Sequence, residues 1–334
     1  MMGKMVSSEI FPSHPINYAV PENYNPADRS LFYDENFVFE IPAVCLYQLS
    51  KIAASNCVVT KKYLPAYKLT HHTHPKNLSV FKELLRSAIQ KKENVEHGIL
   101  GVQDWANNYF HWMTEMLPRI AAMHHQDPDF PVLIPSNYLN YPFIVESLSQ
   151  LDIDFKPFDL RFTLKVNTLK AIEVPHVGRF NEALMHFFRG KYLQGFASVS
   201  QPFRLLYISR DKAKRRKITN EDDVFELLAS KGFEKVSLEN LTLKNQVKLF
   251  QEARIVIGCH GAGLTNIMFM QKNQNIIELK SNNNNYWCYF SLARVFGLKY
   301  YYSLNNSNVT NHRDADIDIN LDALNELVTK AMNN

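Results

Sequence analysis

The chain has 334 residues, 46% of them hydrophobic, and its 37 Lys and Arg against 33 Asp and Glu leave a formal charge of +4. That composition excludes a disordered, collagen-like or disulfide-stapled chain, and so small a positive balance does not by itself imply nucleic acid as a partner. The length favours two domains over one, because single cores stop growing near ~250 to 300 residues.

At the start, MMGKMVSSEIFPSHP does not read as a secretory signal, and no apolar run anywhere approaches the roughly 18 residues of a membrane span. A cytoplasmic protein is expected, with peripheral association at the inner face of a membrane left open. Cys45, Cys57, Cys259 and Cys288 form no CxxC pair and are expected to be reduced thiols, not zinc ligands. The first hundred residues, rich in Pro, Tyr, His and Asn, read as short strands and loops up to a helix around Val80 to Lys91. From Asn107 to His125 an apolar helical pattern appears, which Pro118 should kink or end. PVLIP (131–135) reads as a buried strand, Tyr138 to Leu151 as a helix, Leu169 to Val174 as a strand and Asn181 to Ala197 as a helix.

From Phe203 onward strands and helices alternate. FRLLYIS, EKVSL, RIVIG, NIIEL and KYYYSL are the strands; the helices are Asn220 to Lys231, Leu243 to Ala253, one opening at Gly261, and Tyr286 to Phe296. That alternation predicts a parallel, doubly wound sheet with its ligand beyond the strand C-termini. The expected division is 1–198 for an acceptor-side α/β domain and 199–334 for a nucleotide-binding one, whose last helix, Leu321 to Met332, is free to pack back on the first.

Three constellations carry chemistry. His260-Gly261-Ala262-Gly263-Leu264 follows a buried strand and opens a helix, where free amides and missing Cβ atoms suit a phosphate. Packing alone would also explain such a turn. Arg210 and Arg215 lie in the basic run Arg210–Lys217 after another strand of the same sheet, which places them at the same crevice; guanidinium forks bind phosphate oxygens well, although most charge runs are simply solvated. Asn108, His111, Glu115 and Arg119 make one polar stripe on an apolar helix. Glu115 is then a candidate general base with His111 and Asn108 orienting it or the substrate, and a Glu115–Arg119 structural pair is the competing reading. Glu278 ends the NIIEL strand and is a candidate for a ribose diol. His71, His72 and His74 lack a well-placed carboxylate and read as surface or packing residues, and of the tryptophans only Trp112 stands beside the polar stripe.

The motifs NYFHWMTEMLPR, YISRDKAKRRKITNE and IGCHGAGLTNIMFM followed by IIEL resemble glycosyltransferase family 61 over about Asn107 to Tyr302. The resemblance implies a GT-B fold, two Rossmann-like domains facing across a cleft, and an inverting transfer of a hexose or pentose from a nucleotide sugar, UDP-linked, to a glycan. It implies no required cofactor or metal. Glu115 would be the base, Arg210 and the HGAG turn the phosphate binders, and His260 a nucleotide contact. Many relatives carry a membrane anchor; its lack here suits a bacterial-type enzyme of capsular or other surface polysaccharide synthesis, with a lipid-linked acceptor among the alternatives. A pyruvyl or similar transferase and a non-catalytic nucleotide- or glycan-binding protein are the competing functions.

Overall fold

The computed structural model describes residues 5–32, 37–54, 58–59, 66–72, 85, 89–213, 215–307 and 316–334. The helix expected around Val80 to Lys91 falls almost entirely outside these residues, as do His74 and Cys57. The chain divides into two compact units, one of residues 1–14 and 40–194, the other of 15–39 and 195–334. Pro15–Phe39 therefore belongs with the C-terminal unit.

The first unit is built on a mixed sheet. Its strands are β1 (Met5–Phe11), β4 (Val44–Ala54), β5 (Val58–Val59), β6 (Lys91–Leu100), β7 (Val132–Pro135), β8 (Phe155–Phe158) and β9 (Phe162–Ile172), in the order β1-β4-β9-β6-β7-β8 with β5 on β4. β1, β4 and β9 pair antiparallel, whereas β9, β6, β7 and β8 run parallel. The sheet is thus only half Rossmann-like, and the region expected to hold short strands contains the long β4 and β6. Leu49, Ile52, Val95, Leu133, Val166 and Leu169 form its core.

The segment expected to kink or end at Pro118 changes its winding just before that residue and continues past it. A helical turn (Tyr109–His111) passes into a π-helical turn (Trp112–Met116) and on into an α-helix (Leu117–Gln126), with Pro118 in that helix's first turn. Proline has no N–H to continue the ladder there, and in a regular α-helix its ring would crowd the carbonyl four residues back. In the π turn the Leu117 N–H reaches the carbonyl of Trp112, five residues back, and the wider turn makes room for the ring. Helices Pro142–Gln150 and Glu182–Tyr192 complete the unit.

The second unit has one five-stranded, wholly parallel sheet: β10 (Arg204–Ile208), β11 (Glu234–Val236), β12 (Ala253–Cys259), β13 (Asn275–Ser281) and β14 (Lys299–Asn305), in the order β11-β10-β12-β13-β14. β13 is buried at every position, as expected of a parallel strand covered on both faces. Ile255, Ile257, Ile277 and Tyr301 pack with Val224 and Leu228 of helix Glu221–Ser230 and with Leu324 and Val328 of helix Leu321–Asn333. The strand order reverses between β10 and β12, so the crevice beyond their C-terminal ends is the topological switch point where such sheets bind ligands. The element after β12 is a 3-10 helix, Ala262–Phe269, where the sequence pattern predicts an α-helix. Strands β2 (His14–Asn17) and β3 (Val38–Ile41) pair separately.

Candidate active site

In the first unit a chain of polar contacts converges on Glu115, whose side chain is 1% exposed. Its Oε2 meets His72 Nε2 at 2.6 Å and His111 Nδ1 at 3.0 Å, and accepts from the Gln103 amide at 2.6 Å. His72 is held from its other side, because Asp104 Oδ1 lies 2.8 Å from Nδ1 and accepts from the His72 backbone N–H at 3.2 Å. With a carboxylate at each ring nitrogen, both nitrogens donate and the ring is a cation. Burial opposes that charge, but the hydrogen bonds to Asp104 and Glu115 outweigh it and hold the His72 pKa at about 9. Burial likewise pushes Glu115 up, and the hydrogen bonds from His111 and His72 overcome it, so the carboxyl titrates below its usual range.

Glu115 Oε1 is buried with no hydrogen-bond partner among the described residues. Such an atom is costly unless something completes it. Glu115 also lines a cavity of about 480 Å³ with His72, Thr114, Arg119, Tyr67 and Asn181. The competing Glu115–Arg119 ion pair is absent among the described residues: Arg119 Nε donates to the Glu115 carbonyl at 3.0 Å, and its other nitrogens to the Ile172 carbonyl and the Gln103 side-chain oxygen. Arg119 thereby fixes the amide that donates to Glu115. Buried outright, it is brought down to about 10 with Glu115 and Asp104 opposing, and it stays charged at neutral pH.

The histidine cation makes stability depend on pH. Its folded pKa, about 9, exceeds the unfolded 6.5, so its contribution is complete below about pH 6.5 and is lost as pH rises through 9. Melting temperature should fall between pH 7 and 10 in the wild type and fall less steeply in His72→Gln; equal slopes would show that another group titrates.

The other sequence candidates fall unevenly. Asn108 is the cap of the helical turn, its Oδ1 accepting from the Phe110 N–H at 2.9 Å, and it makes no recorded contact with Glu115. Trp112 is fully buried and donates to Ser147 Oγ, so it is a core residue. His72, expected to be a surface or packing residue, lies at the centre of the cluster instead, because the fold brings it the carboxylates of Asp104 and Glu115 that its own neighbourhood in sequence lacks. His72, His111 and Glu115 each offer one ligand atom within 4.8 Å of the others, a donor set that suits zinc or a similar ion. A cation there would have to displace the His72 and Gln103 donors from Glu115 Oε2.

In the second unit the loop after β10 and the turn after β12 meet, as their positions at the switch point require. A Cβ on Gly261 would lie 2.2 Å from Arg210 Nη1, so the missing side chain is what lets the guanidinium rest on the turn. Arg210 is braced by the carbonyls of Arg216 (3.0 Å) and Arg215 (2.9 Å). Arg216, missed in the sequence, holds a left-handed backbone (φ 56°), and its Nε is buried without a hydrogen-bond partner. Burial and the neighbouring Arg210 charge push its pKa down, and no carboxylate lies within ion-pair distance of either arginine among the described residues. Two adjacent cations without a counter-charge suit an anionic ligand. Arg215 is exposed.

At Gly263 a Cβ would meet Leu238 Cδ1 at 2.9 Å, so tight packing explains that glycine; Leu264 is buried, its Cδ2 against Gly258, while Ala262 is partly exposed. Glu278 requires a correction. It is wholly buried, with one carboxylate oxygen on His260 Nδ1 and the other accepting from Tyr300, which leaves it unable to meet a ribose. Burial raises its pKa, but Lys280 and His260 outweigh this, and it stays ionised while holding the His260 ring from behind.

The Glycosyltransferase 61 profile matches residues 109–277, just over half of the chain. An EGF domain-specific O-linked N-acetylglucosamine transferase of Drosophila melanogaster is 34% identical over 124 residues, covering 36% of this chain and 23% of its own. An alpha-1,3-arabinosyltransferase of Oryza sativa subsp. japonica is 25% identical over 285 residues (74% and 48%), and a beta-1,2-xylosyltransferase of Arabidopsis thaliana 29% identical over 134 (33% and 25%). The chain spans between 23% and 48% of the length of these relatives. No helix among the described residues is long and apolar enough to cross a membrane. The matched segment holds the His111–Glu115 pair, Arg210 and the His260–Gly263 turn together, and the chain belongs to the Glycosyltransferase 61 family.

Proposed function

We propose that the protein is a glycosyltransferase that moves a sugar from a UDP-linked donor to a hydroxyl of a glycan acceptor, with inversion at the anomeric carbon. The observation that carries this reading is Glu115: buried, held ionised by two histidines, three donors on Oε2, a free Oε1, and a cavity beside it. Such a carboxylate can take the acceptor hydroxyl's proton while the hydroxyl oxygen bonds to the anomeric carbon and the bond to the diphosphate breaks. The charge left on the departing diphosphate falls to Arg210 and Arg216 at the switch point of the second sheet. His260, fixed by Glu278, is the nucleotide contact of this reading.

The two units are proposed to work as the halves of a GT-B enzyme. The relatives' names specify transfer of N-acetylglucosamine, arabinose and xylose, so the transferred sugar is proposed to be an N-acetylhexosamine or a pentose. Surface-polysaccharide assembly in the cytoplasm is the setting that the family resemblance suggests.

Since the arginines meet the diphosphate charge directly, UDP should raise the melting temperature by mass action whether or not divalent metal is present. Loss of the UDP shift on adding EDTA would overturn metal independence, and no shift under any condition would remove the nucleotide reading.

A further inference from the structure

Trp105 is half exposed, and it is a bulky residue held at φ 63°. Left-handed backbone is unfavourable for such a side chain and persists where its surroundings enforce it, often at ligand sites. The surroundings here are specific. One face of the indole stacks on the His72 ring at 4.7 Å and 19°, and the His111 ring lies tilted against it at 5.2 Å and 51°. The His72 ring is pinned in turn by Asp104 and Glu115. An imidazolium under an indole is a favourable cation–π pair, so the ring is clamped flat with its remaining surface open to solvent. Next to it in the chain Asn107 and Asn108 are exposed; Asn107 donates one amide hydrogen to the Tyr141 hydroxyl at 3.3 Å, while Asn108 uses its side-chain oxygen for the cap and keeps its amide hydrogens. A rigid aromatic plate flanked by side-chain amides matches a pyranose ring, whose C–H face is apolar and whose rim carries hydroxyls.

We propose that Trp105 is a sugar-binding platform for the acceptor glycan, taking a neighbouring sugar of that glycan and not the one that reacts. The inference rests on the transferase reading above and adds an acceptor subsite to it. Trp105 does not line the cavity beside Glu115, which is why the neighbouring unit is assigned to it.

The arrangement of tryptophans makes the test direct. Of the chain's three, Trp112 is 0% and Trp287 4% exposed against 50% for Trp105, so acrylamide quenching of intrinsic fluorescence reads Trp105. Chito-, xylo- and arabino-oligosaccharides should be added as mono- and tetrasaccharides. One tetrasaccharide should protect the indole while its monosaccharide protects far less, and calorimetry should find that tetrasaccharide bound about tenfold more weakly by Trp105→Ala, with Trp105→Phe retaining most of the affinity. Unchanged affinity in Trp105→Ala, at wild-type melting temperature, would overturn the platform, as would failure of every tetrasaccharide to protect. UDP-induced stabilisation, measured on the same samples, separates the two readings: protection without it strikes the transferase reading and leaves the platform standing, and stabilisation without protection does the reverse.

Discussion

Glu115→Gln should lower turnover by about 10²-fold or more, the usual contribution of a positioned base, while UDP binding barely changes. Glutamine keeps the shape and can still accept from His72 through its amide oxygen, but it has no oxygen that can hold a proton. The surroundings sharpen the expectation. Three donors already fill Oε2, so the activity assigned to this residue lies in Oε1. Loss of the carboxylate also removes one of the two charges that keep His72 at about 9, so the His72 pKa should fall in the variant. A purely structural role predicts a different pattern, lower thermal stability with turnover per folded molecule largely kept. Melting temperature, UDP affinity and transfer rate on one preparation distinguish them.

Arg210→Ala should weaken UDP binding by about 1.5 to 3 kcal/mol, the range for hydrogen bonds to a charged group. Its side chain fills the space above Gly261, and its bonds to the carbonyls of Arg215 and Arg216 hold the basic loop in place. Removing it would therefore lose the proposed phosphate contact and loosen Arg216 at once. The sheet beneath should be unaffected, because β10 and β12 are fixed by their pairing and by the core. Calorimetry that finds unchanged affinity would return the run to an ordinary solvated loop.

The second unit was the more legible in sequence because its strands are buried on both faces. Such strands appear as unbroken apolar runs, and RIVIG, NIIEL and KYYYSL map directly onto β12, β13 and β14. The first unit hides its architecture: β9 alternates buried and exposed positions and begins at Phe162, well before the Leu169 suggested by its apolar end. Spacing identified Glu115 and His111 as partners, since the π turn still leaves them in contact. It misplaced Asn108 by running the helix through it, although an Asn just before a helical run is itself a capping signal. His72 and Asp104 carried no local sign, because their bonds to each other and to Glu115 span 32 and 43 positions. Glu278 lies inside β13 (Asn275–Ser281) and not at its end as NIIEL suggests, and a strand's sequence does not show which way a buried carboxylate points.

Transfer of a sugar from UDP to a glycan hydroxyl, with Glu115 as base, is followed most directly by NMR. The protein is incubated with α-linked UDP-N-acetylglucosamine or UDP-xylose and the oligosaccharide that protects Trp105, and the anomeric configuration of the first product is read. A β-linked product accompanied by stoichiometric UDP, lost in Glu115→Gln, is the predicted result. An α-linked product, or release of UDP at the same rate from wild type and Glu115→Gln, would contradict it.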